Sequence, residues 1–302
     1  MRKALRGFYY NQMKRYYTQP IDQLQLSDYS NLVSMALLED CPNGDITSES
    51  IFLGDDQCRA SLVPREEGIF CGMGVVSEIC KQTGNTFTYT FYKKDGDSFV
   101  KNVPILKMEG NLNTILRVER ILLNFIQYLS GISTQTNSLV KRYNQKLMIF
   151  DTRKTLPGYR KLAKYAVYTG GGANHRLDLS DMAMIKDNHV AMAGSIEEAV
   201  SKIRNKFPDK KIEVEVDSIS QIEEVVRSKA EIILLDNFTI EDTIVAIKKI
   251  KTLDSTLLIE CSGGITPEKL EALSQFEGIG VSMGYLTHTT KFLDLSLEVE
   301  RI

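Results

Sequence analysis

The sequence predicts an α/β protein in which a mostly parallel sheet, open or closed into a barrel, follows a smaller unit of mixed strands and helices. Two observations support this fold class. Between residues 147 and 288, six short apolar strands alternate with amphipathic helices, which is the pattern of consecutive β/α units. Between Cys58 and about Leu106, short strands instead surround a single helix. The 302 residues, 43% of them hydrophobic, suffice for two domains of this kind.

The N-terminal region begins with a basic, aromatic arm, MRKALRGFYYNQMKRYY, which we interpret as a terminal helix or strap packed on a neighbour. A helix follows in LSDYSNLVSMALLEDC, and Ser27 or Asp28 is expected to cap it. Strands are expected in CRASLV, GIFCG, TFTYTFY and SFV around the helix VVSEICKQT. A long helical pattern then runs from Asn113 to about Tyr143.

The domain boundary is placed inside that long helical pattern. We expect an N-terminal domain over residues 1–122 and a second domain, built from the β/α units, over residues 123–290. Residues 291–302 are candidates to return to the N-terminal domain.

Beyond the boundary the strands are LMIF, MAMIK, IEVEV, EIILL, TLLIE and IGVSM, each followed by a helical segment. The helix starts carry their own signals. Ser195 with Glu198 and Ser218 with Gln221 have capping-box spacing, and Thr266 precedes a proline at the first helical position. Six such units predict a mostly parallel sheet.

Polar residues follow the strands of this region at their C-terminal ends. The active sites of β/α barrels lie at that face, so the pattern predicts a site there. The residues concerned are Asp151, Arg153, Lys154, Lys186, Asp187, His189, Glu215, Asp217, Asp236, Glu260, Ser262, Gly284 and His288. We interpret His189 as structural.

Positive charge is concentrated in residues 151–189, which hold seven Lys or Arg against four Asp in a chain of net charge −2. Arg160, Lys161 and Lys164 lie within a helical pattern, and we interpret them as a solvated helix face. The remaining cations, with one histidine between them, are expected to bind an anion such as a carboxylate. They are Arg153, Lys154, His175, Arg176 and Lys186.

A second anion site is expected where glycines follow the last two strands. The run Ser262-Gly263-Gly264 and the segment GYLTH, which contains Gly284 and His288, could let backbone N–H groups approach a phosphate, although glycine also serves any tight turn. Glu215 and Asp236 could hold Mg²⁺ or ribose hydroxyls, or could form salt bridges with nearby cations. The combination describes a transferase that joins a phosphorylated sugar to an anionic acceptor.

Composition excludes several other classes of protein. The near-neutral charge argues against a nucleic-acid partner, and no apolar run reaches the ~18 residues of a membrane span. The five cysteines form no CxxC pair, so we expect no zinc site. Because the count is odd and no secretory signal is present, we expect free thiols and a cytoplasmic location.

The same motifs resemble those of the quinolinate phosphoribosyltransferase family, the carboxylating nicotinate-nucleotide pyrophosphorylases. The resemblance covers residues ~30 to 290 in order, which makes chance matching improbable. Leu156 and Tyr159 depart mildly from the family pattern. The matching segments are ALLEDCPNGDITS, PREEGIFCG, ERILLNFIQYLSGI, DTRKTLPGYR, GGGANHR, LSDMAMIKDNH, EVEVD, LLDNF, ECSGGI and SMGYLTH.

The resemblance implies an N-terminal α/β sandwich followed by an incomplete α/β barrel of about six or seven parallel strands, active as a dimer or a larger assembly. It implies transfer of phosphoribosyl from phosphoribosyl pyrophosphate to quinolinate with decarboxylation, giving nicotinate mononucleotide, pyrophosphate and CO₂ in NAD biosynthesis. The implied cofactor is Mg²⁺.

Carried over by motif, the family's quinolinate-binding positions are Arg120, lent from a neighbouring subunit, and Arg153, His175, Arg176 and Lys186. Lys154, Glu215 and Asp236 would meet phosphoribosyl pyrophosphate and its Mg²⁺. The ribose phosphate would be held by Ser262, Gly263, Gly264, Gly284 and His288.

Three alternatives remain at the level of sequence. One is a similar phosphoribosyltransferase-like protein associated with molybdenum transport. Another is a Schiff-base lyase that uses Lys154 or Lys186, although a reactive lysine should have apolar neighbours and these adjoin Arg153 and Asp187. The third is a non-catalytic binding module based on the N-terminal domain, for which the polar residues after the strands would be dispensable.

Overall fold

The structure is a computed structural model that describes residues 19–143 and 146–302, and the predicted arm lies outside those residues. The described chain forms two compact units. The first, the barrel unit, comprises residues 139–154 and 172–284, apart from the two residues not described. The second, the sandwich unit, comprises residues 21–138, 155–171 and 285–302.

The barrel unit contains a six-stranded sheet in which every neighbouring pair is parallel. Its strands are β6 (Leu147–Phe150), β7 (Ala183–Ile185), β8 (Ile212–Val216), β9 (Ile232–Asp236), β10 (Leu258–Ser262) and β11 (Ile279–Ser282). They lie in the order β6-β11-β10-β9-β8-β7. This is the cyclic order of a barrel opened between β6 and β7, with one parallel bridge from Phe150 to Ala173 at the open side.

Helices follow each later strand of this unit. They are α6 (Asp187–Ala193), α7 (Ile196–Lys206), α8 (Ile222–Ser228), α9 (Ile240–Leu253) and α10 (Pro267–Leu273). The hydroxyl of Ser195 accepts the N–H of Glu198, and that of Thr266 accepts the N–H of Lys269. Ser218 and Gln221 form the predicted reciprocal capping box, which begins a 3-10 turn before α8. Each cap satisfies an otherwise unpaired N–H group, so these sequence signals do start helical turns.

The strands of this sheet are buried on both faces, as is typical of parallel sheets. Every residue of β11 is buried, and β9 is buried except for Asp236 at its C-terminal end. Strands covered on both faces need continuous apolar sequence, and polar residues are tolerated where the strand ends. The α/β class and the parallel sheet are confirmed.

The sandwich unit contains a four-stranded antiparallel sheet in the order β12-β1-β5-β3, and a two-stranded sheet of β2 and β4. The strands are β1 (Gln57–Pro64), β2 (Gly68–Ile69), β3 (Phe87–Phe91), β4 (Ser98–Phe99), β5 (Leu106–Asn111) and β12 (Leu295–Arg301). The helices are α1 (Ser30–Asp40), α2 (Ile46–Ile51), α3 (Met73–Gln82), α4 (Leu112–Tyr143), α5 (Arg160–Thr169) and α11 (Tyr285–His288). The last five residues of α4 belong to the barrel unit.

The structure bears on several expectations for this region, and Lys164 of α5, expected on a solvated helix face, is fully buried. The expected caps Ser27 and Asp28 are wrong, because they lie in a 3-10 turn and α1 starts after Tyr29 without a side-chain cap. Strand β5 was not expected. Residues 295–301, from the predicted returning segment, form a strand that pairs antiparallel with β1.

Helix α4 is continuous from Leu112 to Tyr143, and the predicted boundary at residues 122 and 123 falls inside it. Its glycine, Gly131, lies where a Cβ atom would come within 2.2 Å of the carbonyl oxygen of Lys291, so the backbone of residue 291 passes too close for a side chain.

The described helices include none long and apolar enough to cross a membrane.

Candidate active site

Strand register brings the polar ends of β8, β9 and β10 to one edge of the barrel unit. In the parallel pairing Asp236 is the register partner of Ser262, and Glu215 is the register partner of Leu234. Carboxylates and a hydroxyl from successive strands therefore end at the same edge, as expected for the mouth of a β/α barrel.

Two arginines of this unit lie close enough for their charges to interact. Burial, and next the positive charge of Arg153, lower the pKa of the Arg176 guanidinium. The Nε atom of Arg153 is buried and has no hydrogen-bond partner among the described residues. Arg176 is 6% exposed and donates to the Met182 carbonyl oxygen at 3.1 Å, which fixes its orientation. Two neighbouring cations with donor capacity left over are suited to binding an anion.

Lys186 and Glu215 form the shortest ion pair of this mouth. The ammonium donates to the carboxylate at 2.5 Å, and the Lys186 side chain is 43% exposed while that of Glu215 is 18% exposed. The salt bridge that the sequence allowed for Glu215 is therefore formed. A Schiff-base lysine must be free to attack a carbonyl carbon, whereas Glu215 engages the amino group of Lys186.

The glycine-rich turn after β10 packs against the loop that follows β9. The N–H of Asn237 donates to the Ser262 carbonyl oxygen at 3.0 Å, and its side chain donates to Asp236 at 2.7 Å. Gly263 and Asn237 both have positive φ, +71° and +55°. A Cβ atom on Gly263 would lie 2.0 Å from the Asn237 side-chain oxygen, so only glycine fits at this position.

His175, expected among the anion-binding residues, lies in a buried cluster with two glutamates. Its Nε2 atom is 3.1 Å from Glu213 and 3.3 Å from Glu260, and both glutamates are fully buried. Ser282 donates to Glu260 from the neighbouring strand. On the other side of the ring, Nδ1 accepts the N–H of Arg176 at 2.8 Å. Both ring nitrogens thus have partners within the protein.

The protonation of His175 follows from these contacts. Burial is the largest influence and lowers its pKa, but Glu260 and Glu213 together raise the pKa to about 10. That value describes an imidazolium, whereas the N–H of Arg176 requires an unprotonated Nδ1. The hydrogen bond from Arg176 keeps Nδ1 unprotonated, so the ring proton lies on Nε2, between the two carboxylates.

The same contacts bear on metal binding. His175, Glu213 and Glu260 are the one group of three potential ligands in the part of the chain that the structure describes. A metal-bound histidine ordinarily donates its other ring N–H to an acceptor. Here that nitrogen accepts instead, so the cluster is a hydrogen-bonded one. Glu215 and Asp236 differ, because partly exposed carboxylates on adjacent strands fit Mg²⁺, which is usually held by one or two carboxylates with water and substrate phosphates.

Asp151 has a positioning role that the sequence did not reveal. It is fully buried and accepts the N–H of His175 at 2.9 Å and the side-chain amide of Asn174 at 2.6 Å. It therefore holds residues 173–176 beside the end of β6 and orients both His175 and Arg176. The aspartate after the first strand was a visible signal, but its partners are 23 and 24 residues away in the sequence.

The remaining predicted residues lie in both units. Lys154 is exposed, and its backbone N–H donates to the Thr152 hydroxyl at 3.0 Å. Gly284 follows β11 at the end of the barrel unit. Arg120 and His288 belong to the sandwich unit, both exposed, so their predicted roles stay predictions. The Nδ1 atom of His189 accepts the N–H of Lys186 at 3.0 Å, as suits a structural residue.

Comparison with protein families identifies both halves of the chain. Residues 45–130 match the N-terminal domain of quinolinate phosphoribosyl transferase, and residues 132–298 match the C-terminal domain.

Individual proteins are similar over almost the whole chain. The probable nicotinate-nucleotide pyrophosphorylase [carboxylating] of Bacillus subtilis is 42% identical over 284 residues, covering 92% of this chain and 95% of the relative. The enzyme of that name from Mycobacterium leprae is 39% identical, covering 88% and 95%. The solved structure of the nicotinate-nucleotide pyrophosphorylase from Francisella tularensis superposes with a TM-score of 0.89 at 37% identity, covering 94% of this chain and all of the other.

Proposed function

The chain belongs to the quinolinate phosphoribosyltransferase family, and we propose that the mouth of its barrel unit carries out the reaction of that family. It is a carboxylating nicotinate-nucleotide pyrophosphorylase of NAD biosynthesis. It transfers the phosphoribosyl group of phosphoribosyl pyrophosphate to quinolinate and releases pyrophosphate and CO₂.

The observation that carries the assignment of residues is the proximity of Arg153 and Arg176. Their charges repel one another, and the Nε donor of Arg153 is buried without a partner among the described residues. A dicarboxylate relieves the repulsion and satisfies the donor, and the planar guanidinium matches the geometry of a carboxylate. Lys186 supplies the third cation for quinolinate once its contact with Glu215 opens.

His175 has a different part in this proposal from the one suggested by resemblance alone. Because Glu213, Glu260 and the Arg176 amide engage its ring nitrogens, it presents the adjoining Arg176 rather than a free imidazole.

The sugar-phosphate side of the site consists of Lys154, Glu215 and Asp236 with the turn Ser262–Gly264 and Gly284, and the family resemblance adds His288. Glu215 and Asp236 would hold Mg²⁺ together with the substrate's pyrophosphate group. The charge on the leaving pyrophosphate is neutralised when that ion is bound. Lys154, which is exposed, contributes a further positive charge to the same group.

The chemistry follows from where charge develops. As the bond between ribose C1 and pyrophosphate breaks, positive charge appears on the ribose ring, and carboxylates at the mouth stabilise it. The pyridine nitrogen of quinolinate donates its electron pair to C1 and becomes cationic. The cationic ring accepts the electron pair of the neighbouring carbon–carboxylate bond, so CO₂ leaves and that carbon takes up a proton.

We extend the proposal to the assembly and its location. The functional form is a homodimer or a multiple of one, in which Arg120 from one subunit completes the quinolinate site of its partner. The five cysteines are all free, and four of them are buried, which suits the reducing cytoplasm.

The experiment that tests the proposal measures nicotinate mononucleotide. Purified protein is incubated with quinolinate, phosphoribosyl pyrophosphate and Mg²⁺, and the product and the released CO₂ are quantified together. We expect both in equal amounts, and a decrease in rate of about a hundredfold or more for Lys154→Ala and Arg176→Ala. Absence of product above the Lys154→Ala background in folded protein would refute the assignment.

A further inference from the structure

Lys269 is a charged residue buried inside the barrel unit, outside the set of site residues described above. It lies on α10 and is 3% exposed. Burial lowers the pKa of its ammonium group, although Cys261 and Asp236 act in the opposite direction. A buried ammonium is costly unless its N–H groups are satisfied, so the contacts that satisfy it identify what it does.

Those contacts join two loops of the proposed sugar-phosphate site. The ammonium donates to the Phe238 carbonyl oxygen at 2.8 Å and to the Gly263 carbonyl oxygen at 3.3 Å. Phe238 lies two residues after Asp236, in the loop that follows β9, and Gly263 lies in the glycine-rich turn that follows β10. Asn237 connects the same two loops through its N–H bond to Ser262.

The planarity of the peptide bond converts this contact into an orientation. In a trans peptide the carbonyl and the following N–H point in opposite directions. When Lys269 holds the Gly263 carbonyl toward the protein interior, the N–H of Gly264 is turned away from it. The Cβ position of Gly264 has no atom within 4 Å, which places this residue beside open space.

We propose that Lys269 is a positioning residue that holds the Gly263 carbonyl inward and thereby aims the Gly264 N–H at the phosphate of the sugar substrate. The inference rests on the proposed function, because it assigns the turn after β10 to phosphate binding. A glycine-rich turn has many accessible conformations, and fixing it before the substrate arrives reduces the entropy lost on binding.

The test compares two ligands of the same protein. Affinity for ribose 5-phosphate and for phthalate, a dicarboxylate that lacks the reactive nitrogen, is measured by calorimetry for the wild type and for Lys269→Met, which keeps the length of the side chain but loses the donors. We expect about a tenfold or greater loss of affinity for ribose 5-phosphate, and a change of less than about twofold for phthalate. Lys269→Arg, which retains donors, should recover part of the loss.

A matched control is Lys251→Met, because the ammonium of Lys251 also donates to a carbonyl oxygen, that of Glu277 at 3.4 Å, but on the surface. We expect both affinities to stay at wild-type values. If Lys269→Met does not fold, the shorter and neutral Lys269→Gln carries the same comparison. Equal losses for the two ligands, or an unchanged affinity for ribose 5-phosphate, would overturn the inference. The binding measurements require no turnover. A failed nicotinate mononucleotide assay would therefore refute the proposed function without deciding whether Lys269 positions the turn.

Discussion

Gly263 is the residue at which the geometry of the site is most constrained. A side chain there would meet the Asn237 oxygen at 2.0 Å, and φ is +71°. We predict that Gly263→Ala displaces the turn and raises KM for phosphoribosyl pyrophosphate about tenfold or more, while KM for quinolinate changes little. Steady-state kinetics with each substrate varied in turn measures the split.

The control for this prediction is Gly278→Ala. Gly278 also has positive φ, +76°, but nothing lies within 4 Å of its Cβ position and it precedes β11. The Gly278→Ala variant therefore introduces backbone strain without a steric clash. We expect it to lower the free energy of unfolding and to leave both KM values unchanged. Wild-type kinetics for Gly263→Ala would contradict the packing argument.

At the residue scale, the sequence indicated the polar residues that follow the strands, because a parallel sheet collects strand ends at one edge. It did not indicate which partners they take. Glu213 and Glu215 alternate in one strand, yet Glu215 pairs with Lys186 while Glu213 contacts His175 in the interior. Lys269 was not singled out at all, since a lysine in a short surface-type helix gives no sign of being buried. These partnerships depend on contacts between distant segments, which local patterns do not encode.

At the scale of elements, Asp95 connects α3 to α5 within the sandwich unit. Its carboxylate accepts the N–H groups of Gly72 and Met73 at 2.8 and 3.2 Å, and the hydroxyl of Tyr165 at 2.8 Å. Burial is the main influence on the pKa of Asp95 and raises it, against these hydrogen bonds. The Asp95→Asn variant keeps the shape of the side chain, and its amide N–H can donate to the Tyr165 hydroxyl oxygen instead of accepting from it.

This raised pKa makes stability depend on pH in a defined direction. The folded state holds the Asp95 proton at pH values where the unfolded chain, with a pKa near 3.8, has lost it. As pH falls through that window, the wild type should therefore gain stability relative to Asp95→Asn. Urea unfolding of both proteins at pH 7 and at pH 5 measures the difference.

Glu66, a carboxylate whose pKa is lowered rather than raised, provides the comparison with Asp95. The pKa of Glu66 is lowered, chiefly by the N–H of Asp294 and also by Lys291, so the wild type should lose stability relative to Glu66→Gln as pH falls. If the wild type instead lost stability relative to both Asp95→Asn and Glu66→Gln as pH fell, burial would not be the dominant influence on the pKa of Asp95.

Element prediction succeeded where sequence neighbours form the structure. The six strands of the barrel unit were placed within about two residues, because each is a short apolar run ended by polar residues. In the sandwich unit β5 was missed, since LKMEGN alternates apolar and polar residues over only four positions before Gly110. Strand β12 pairs with β1 across more than 230 residues, and no local pattern specifies such a partner.

At the scale of the whole molecule, the parallel sheet of the barrel unit was predictable from the repeated β/α units. The sequence left open whether it closes, and the order of strands shows a barrel opened between β6 and β7. The reason is physical: periodicity specifies which face of a strand is buried, whereas closure depends on strand number and tilt.

The proposed sharing of Arg120 between subunits gives a prediction for the assembly. Arg120→Ala and Lys154→Ala should each be inactive alone, because one removes the lent cation and the other the resident one. If they are unfolded and refolded together, random pairing should give hybrid dimers with one intact site and about a quarter of wild-type activity. Full absence of rescue, with mixed dimers demonstrated by mass spectrometry, would count against sharing.

The central claim is that Arg153, Arg176 and Lys186 together bind a dicarboxylate beside the turn after β10. A crystal structure with phthalate and ribose 5-phosphate bound tests it most directly. We predict that the phthalate carboxylates lie about 3 Å from all three cations, with Lys186 released from Glu215, and that the phosphate lies at the Ser262–Gly264 turn. Phthalate bound elsewhere, or cations that face away from it while the Lys186–Glu215 pair stays closed, would contradict the account.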